Sequence, residues 1–213
     1  MTVIRHLFLL LAIILLSGCF GSTTKEEVEE VVETPRYFVV DVDRGLMATE
    51  FAKDRVLRLM PVRVTSQFRN KEIVFRVGED EYQPQPNDLL FSSPQDMFTD
   101  QLRRWLEKTG LFTQVVMDDN QSADFVMEAA VTALYGEKRE RQLPQSVLEI
   151  QFFLMDGKSG TPRALFQTGL RAEVEIGETT PAETVKGWRF GLEELLTTVE
   201  EDLRAYFSER DTP

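Results

Sequence analysis

The sequence predicts an α+β fold in which a mainly antiparallel sheet carries two helices on one face. Three long segments between residues 125 and 176 alternate apolar and polar side chains, as strands with one solvated face do. Two further segments carry helix-capping signals and apolar side chains at helical spacing. Because runs of strands precede each helix, the order of elements favours segregated helices over repeated βαβ units.

The first strands are short. Residues 37–42 are aromatic and β-branched, which predicts a strand. Residues 56–64 predict a second strand with Leu57 and Leu59 on one face, and Pro61 within it indicates an edge strand or a bulge. Residues 73–77 alternate and predict the third strand.

A loop is predicted at residues 78–93, because Pro84 and Pro86 interrupt it. Tyr82 and Phe91 lie within this segment. Exposed aromatic residues are frequent energetic centres of protein interfaces, so both are candidate partner-binding residues. The alternative is that the two rings fold back onto the sheet as caps.

The first helix begins at a clear capping signal. Ser93 is a suitable N-cap, Pro94 suits the first helical position, and Asp96 completes a pattern similar to a capping box. Gly110 is suited to end the helix, and residues 111–117 predict a short strand after it. The predicted buried stripe comprises Phe98, Leu102, Trp105 and Leu106.

The three long strands are predicted at residues 125–135, 147–155 and 166–176. Residues 156–160 are rich in glycine and predict a turn that makes the last two strands an antiparallel hairpin. In the first of these strands, the odd positions are predicted to face one side: Phe125, Met127, Ala129, Val131 and Ala133.

The last helix follows Thr180 as N-cap and is predicted to run for about 25 residues, or roughly 37 Å. Its stripe is predicted to pack on the sheet, and a coiled-coil or partner-binding role is the alternative. Gly187 and Gly191 suggest close backbone approach, although solvent-facing glycines would give the same pattern. Trp105 and Trp188 are expected in the core rather than at an interface. The stripe comprises Val185, Trp188, Leu192, Leu195, Val199, Leu203 and Tyr206.

Composition excludes several functions. The formal net charge of −12 argues against nucleic-acid binding, which requires a basic surface. The single histidine, His6, lies in a predicted signal peptide, so histidine-based catalysis and metal sites are not expected. Thirty-six acidic residues make chance carboxylate pairs uninformative. Asp124, at a strand start, is expected to act in a turn or cap.

The N-terminus resembles a bacterial lipoprotein signal. A basic start at Arg5 precedes an apolar run over residues 7–16 that is too short to span a bilayer. Ser17 and Gly18 then precede Cys19, the single cysteine, as in a lipobox. This resemblance implies cleavage before Cys19, with diacylglycerol and an N-acyl chain attached there. An ordinary secretory signal or a short buried helix is the alternative.

Four regions are therefore predicted. Residues 1–18 form the signal peptide, and residues 19–35 form the lipidated N-terminus and a flexible acidic linker. Residues 36–207 form the α+β domain, and residues 208–213 form a flexible tail. Phe20 follows the acylated position and, under the sorting rule of well-studied Gram-negative lipoproteins, favours the periplasmic face of the outer membrane over the inner membrane.

The order of motifs resembles the ABC-type transport auxiliary lipoproteins, the PqiC-like family. The likeness covers most of residues 36–207, and one departure from the pattern is the absence of a tryptophan in residues 87–91. The motifs are Tyr37-Phe-Val-Val, Val62-Arg-Val, Ile73-Val-Phe-Arg76, Tyr82, Ser93-Pro94, Leu106 with Gly110-Leu-Phe112 and Val115, and Ala123-Asp124.

The resemblance implies a non-enzymatic periplasmic lipoprotein that docks onto an MCE-domain protein in a phospholipid-transport system, in some cases with an ABC transporter. It implies no cofactor beyond the lipid on Cys19, and it allows a homo-oligomer. The alternative is a structural or assembly lipoprotein of another envelope machine. A carboxylate-dependent hydrolase is the least favoured class.

Overall fold

The computed structural model describes residues 34–211 except 53, 119 and 160–162. The predicted signal peptide, Cys19 and nearly all of the predicted linker lie outside the described residues. Within them, a mixed sheet and two long helices form in this order: β1 Arg36–Phe38, β2 Val56–Leu59, β3 Arg63–Val64, a 3₁₀ helix Ser66–Phe68, β4 Glu72–Arg76, β5 Tyr82–Leu90, α1 Pro94–Lys108, β6 Gln114–Val116, β7 Phe125–Glu137, β8 Gln145–Asp156, β9 Ala164–Glu175 and α2 Pro181–Asp211.

The sheet is mixed, which corrects the prediction of a mainly antiparallel one. Strands β7, β8 and β9 form an antiparallel meander as predicted. Along the other edge of β7, strands β2, β3 and β4 pair with it in succession, and all three run parallel to it. These strands precede α1 and β7 follows it, so the chain crosses over between them, as parallel pairing requires. Short strands β1 and β6 add further parallel pairs with β5 and β2.

The predicted strand over residues 56–64 is interrupted at Pro61. From Leu59 to Arg63 the chain advances four residues while its partner advances three, from Met127 to Ala130. This extra residue interrupts the strand as a bulge does, in agreement with the bulge predicted at Pro61. The next backbone N–H, that of Val62, donates instead to the Thr99 side chain in α1 at 2.8 Å. Pro61 therefore divides one predicted strand into β2 and β3.

Strand β5 replaces most of the loop predicted at residues 78–93. Its prolines fit because β1 pairs only with the segment Asp88–Leu90. Beside Pro84 and Pro86, no strand among the described residues occupies the outer edge of β5. A proline there removes no ladder hydrogen bond, which is the usual condition for proline within a strand. The proline pattern alone could not distinguish a loop from an edge strand.

A β-bulge reverses the predicted facing of Ala133. Val131 pairs with Ile150, whereas Ala133 pairs with Glu149, whose side chain lies on the opposite face of β8. Paired residues share a face, so Ala133 points away from the helices and Leu134 takes its place towards them. The alternation predicted for Phe125 through Val131 is compatible with the register.

Both helices begin as predicted. Ser93 Oγ accepts a hydrogen bond from the Asp96 backbone N–H at 3.1 Å, and Thr180 Oγ1 accepts one from Glu183 at 3.3 Å. Gly110 has φ +74°, the left-handed conformation expected after a helix end. Helix α2 has 31 residues rather than about 25 and extends to Asp211, so residues 208–211 of the predicted tail are helical.

The core lies between the helices and the sheet. Trp105 is 5 % exposed and Trp188 is 1 % exposed, which confirms both as core residues. Gly187 packs against Ser146 on β8 and Gly191 against Ala172 on β9, so the close backbone approach is confirmed. The stripe of α2 therefore packs on the sheet. A gap of about 10 Å³ remains between α1, α2 and the sheet, roughly the space of a single water molecule.

Candidate functional site

A cleft runs between the segment after β1 and the C-terminal half of α1. Its volume is about 220 Å³. Its apolar lining comes from Val42, Met47 and Trp105, and charged side chains surround these. The charges pair across the cleft walls, with Arg104 bound to Asp41 and Lys108 bound to Asp43, and the other lining residues are Arg44 and Glu107.

A nearly buried carboxylate holds the cleft wall in place. Arg44 donates from Nε and Nη2 to the two carboxylate oxygens of Glu200, at 2.7 Å each. The Trp105 indole donates to the same carboxylate at 3.0 Å, and Arg204 donates at 2.8 Å. These four residues, the carboxylate clamp, join the segment after β1 to α1 and α2. The clamp therefore fixes where the following residues lie.

Hydrogen bonds from its arginine partners keep the Glu200 carboxylate ionised. Burial alone would raise the pKa of Glu200, but hydrogen bonds from Arg44 and Arg204 outweigh it, so the pKa lies below its ordinary value. Glu200 is 8 % exposed, and its partners satisfy both carboxylate oxygens. A bidentate arginine pair with further donors is a strong, directional arrangement.

Two apolar side chains beside the clamp are exposed. Leu46 is 90 % exposed and Met47 is 58 % exposed. The Arg44 guanidinium donates to the Leu46 carbonyl at 2.8 Å, which ties this turn to the clamp. We name Leu46, Met47 and the adjoining cleft the cleft surface. An apolar centre with a charged rim is the usual anatomy of a protein interface.

A second exposed apolar surface lies at the other end of α1. Phe91 and Tyr37 make an edge-to-face contact with ring centroids 6.3 Å apart. Both rings and the neighbouring Val39 are more than half exposed. The Phe91 backbone N–H donates to the Phe38 carbonyl at 2.8 Å and fixes the two segments together. We name Tyr37, Val39 and Phe91 the aromatic edge patch.

Tyr82 lies in a different environment from Phe91. Its half-buried ring meets Phe68 and Tyr135 at 5.7 Å each, and the Arg76 guanidinium lies 5.9 Å from the ring centroid. This cluster caps the sheet, which is the packing alternative for Tyr82. Strand β5 separates Tyr82 from Phe91, so the structure does not bring these two predicted partner-binding residues together.

Asp124 has a structural role. Asp124 accepts a hydrogen bond from the Val56 backbone N–H at 2.7 Å and pairs with Lys158 at 2.6 Å. Burial would raise the pKa of Asp124, but these two partners lower it. Asp124 thus ties the start of β7 to β2, in agreement with a structural role. Among the described residues, no cluster of His, Cys, Asp or Glu is suited to hold a metal ion.

Sequence reasoning missed the carboxylate clamp and the cleft surface. One signal was present, because Glu200 occupies a helical position between Leu196 and Leu203 within the apolar stripe of α2. A charged residue within such a stripe indicates a buried partner. Nothing in the sequence pattern assigns that partner to Arg44, which lies 156 residues away.

The described residues form an α+β domain with exposed apolar side chains near both ends of α1. The chain belongs to the family described as the ABC-type transport auxiliary lipoprotein component, which it matches over residues 43–200. That description names an auxiliary component, which agrees with a non-enzymatic role. Among the described residues, no helix has the length and apolarity needed to cross a membrane.

Two solved structures share the fold of this chain at low sequence identity, and a third has a lower similarity score. A protein from Xanthomonas campestris is 14 % identical with a TM-score of 0.68, covering 84 % of this chain and 100 % of that one. An uncharacterized protein is 17 % identical with a TM-score of 0.62, covering 80 % and 99 %. A hypothetical protein from Chlamydia trachomatis is 12 % identical with a TM-score of 0.47, covering 71 % and 98 %. No curated protein matches the chain significantly.

Proposed function

We propose that this protein is a non-enzymatic, lipid-anchored subunit of a phospholipid-transport system in the Gram-negative envelope. In this proposal, acyl chains on Cys19 attach it to the periplasmic face of the outer membrane, and its domain docks onto an MCE-domain protein. The family match over residues 43–200 is the observation that carries the proposal. The lipobox at residues 16–19 supports the anchor, and two or three acyl chains are sufficient for stable attachment.

The packed interior favours docking over lipid carriage by the domain. The gap between α1, α2 and the sheet measures about 10 Å³, whereas sites for drug-sized ligands have roughly 300–1,000 Å³. Its lining residues Phe98, Phe152 and Leu192 are core residues at most 2 % exposed. An acyl chain would need to displace this core. The proposal therefore gives the domain the role of linking parts of a transport assembly.

The cleft surface is the proposed contact for the protein partner. Leu46 is a large apolar side chain that the clamp holds almost fully exposed. Burying such a side chain in a partner contributes about 1.5–3 kcal/mol. The surrounding ion pairs of Arg104 and Lys108 supply a polar rim that sets orientation.

The experiment is a pull-down from native envelopes with the full chain carrying a C-terminal tag, followed by mass spectrometry. We expect the wild type to recover an MCE-domain protein and Leu46→Asp to recover at least tenfold less. Leu143→Asp is the matched control, since Leu143 is 62 % exposed on the β7–β8 connection. The control should recover partner as the wild type does. Recovery of only unrelated outer-membrane assembly factors would contradict the proposal and favour an assembly lipoprotein.

A further inference from the structure

We propose that the aromatic edge patch rests on the surface of the bilayer that holds the acyl anchor. This inference rests on the proposed acylation of Cys19, and it adds a second membrane contact made by the folded domain itself. It also gives Phe91 a role different from the protein contact that the sequence suggested.

Strand register turns the patch outward. Tyr37 and Phe38 pair in parallel with Leu89 and Leu90 of β5, and just after these pairs the Phe91 backbone N–H donates to the Phe38 carbonyl. Alternation along a strand places Tyr37 and Val39 on one face and Phe38 on the other. Leu90 is 1 % exposed and Phe38 packs against the core. The three patch residues therefore face away from the core on a hydrogen-bonded frame.

The position of the patch along the chain favours the bilayer as its contact. Tyr37 comes 18 residues after Cys19 in the sequence. A chain of that length spans at most about 60 Å, and a freely flexible one has a mean end-to-end distance of roughly 20–25 Å. An anchored domain therefore stays close to its bilayer. Tethering raises the effective concentration, so a contact too weak to bind alone becomes populated.

The chemistry of the patch also favours a bilayer. Aromatic side chains are enriched at the membrane–water interface. Lys71 Nζ donates to the Phe91 carbonyl at 3.0 Å, which places one ammonium group at the Phe91 backbone. Arg36 is paired with Asp88, and the chain as a whole is acidic, so the contact is apolar rather than charge-driven.

This placement separates the two exposed surfaces. Helix α1 begins beside Phe91 and ends beside the segment that carries Met47, since the Lys108 carbonyl accepts from the Ala48 N–H at 2.9 Å. Its 15 residues span about 22 Å. If the aromatic edge patch lies on the bilayer, the cleft surface lies about one length of α1 away from the patch. The two contacts can therefore be made at the same time.

The test uses protein purified from envelopes after expression of the full chain, placed in phosphatidylcholine vesicles with or without bromine on the acyl chains. Phe91→Trp reports on the patch and Leu143→Trp is the matched control, with the wild type supplying the background of buried Trp105 and Trp188. We expect brominated lipid to quench most of the added emission of Phe91→Trp and little of that of Leu143→Trp. The quenching should persist at about 0.5 M salt, where charge contacts are screened.

Three outcomes would overturn the inference. If the protein floats with vesicles and both added tryptophans are quenched equally, the anchor stands and the patch contact is wrong. If the protein neither floats nor is quenched, and the N-terminal peptide lacks acyl mass, the anchor itself is wrong. If the emission of the added tryptophan in Phe91→Trp changes only when co-purified envelope proteins are present, the patch is a protein interface instead.

Discussion

Gly187→Ala tests how α2 is seated on the sheet. A Cβ at this position would lie 2.9 Å from Ser146 Oγ and 3.1 Å from Ile176 Cγ2, and closer still to Ser146 Cβ. Ser146 Cβ is fixed by the backbone of β8, so the helix must move. That movement also strains the buried hydrogen bond from Ser146 Oγ to the Thr184 carbonyl, which measures 2.6 Å.

The expected loss of stability is about 2 kcal/mol. Overpacking a well-filled contact costs about 1–3 kcal/mol, and weakening one buried hydrogen bond costs about 1 kcal/mol. Alanine in place of glycine within a helix stabilises the folded state by about 1 kcal/mol, which offsets part of this loss. For a domain of this size, 1 kcal/mol corresponds to roughly 2–4 °C, so the melting temperature should fall by about 4–8 °C.

Thermal unfolding of the purified protein, followed by circular dichroism, measures this change. Gly177→Ala is the control, because a Cβ at Gly177 would meet no atom within 4 Å. That variant should match the wild type or gain less than about 1 kcal/mol. Because α2 also carries Glu200, Gly187→Ala should weaken partner recovery as well. An unchanged or raised melting temperature for Gly187→Ala would contradict the close contact between α2 and β8 at this position.

Three further predictions concern the clamp, a cap and the aromatic cluster. Glu200→Gln should cost about 1–3 kcal/mol at pH 7 because it leaves Arg44 without its ionised partner. Since the folded pKa of Glu200 is lowered, its contribution is present above about pH 4.3 and is lost as pH falls further, so denaturant titrations of variant and wild type should converge in acid. Ser93→Ala removes the N-cap bond to Asp96 and should cost about 1 kcal/mol by the same titration. Tyr82→Ala should lower the free energy of unfolding by about 2 kcal/mol through lost packing. A loss of partner recovery in the pull-down as large as that of Leu46→Asp would show instead that Tyr82 is a binding residue.

Capping chemistry and periodicity were sufficient to locate both helices and the long meander. Ser93 and Thr180 carry local hydrogen bonds that depend on residues three positions away, so the sequence contains the whole signal. The stripe of α2 similarly repeats at helical steps, and it is buried from Val185 to Leu203, whereas Tyr206 at its end is only partly buried. These features depend on short-range geometry, which a single sequence encodes directly.

Long-range pairing was harder to predict. The parallel order of β2, β3 and β4 along β7 depends on which edge is free after the chain crosses over, and no local pattern fixes that. The β7 bulge shifts register at one residue without a glycine or proline to mark it. The prolines of β5 predicted a loop because a strand accepts proline only where its outer edge is unpaired, and the sequence does not show which edges are unpaired. The clamp is similar, since Arg44 and Glu200 meet only in three dimensions.

Photo-crosslinking in intact cells, with a crosslinking amino acid at position 46, tests directly whether the cleft surface docks onto an MCE-domain protein. Leu46 is 90 % exposed on the cleft surface, so substitution should leave the fold intact. The proposed docking predicts an adduct with an MCE-domain protein from position 46 and none from position 143. Adducts formed only with other envelope assembly proteins, or formed equally from both positions, would contradict it.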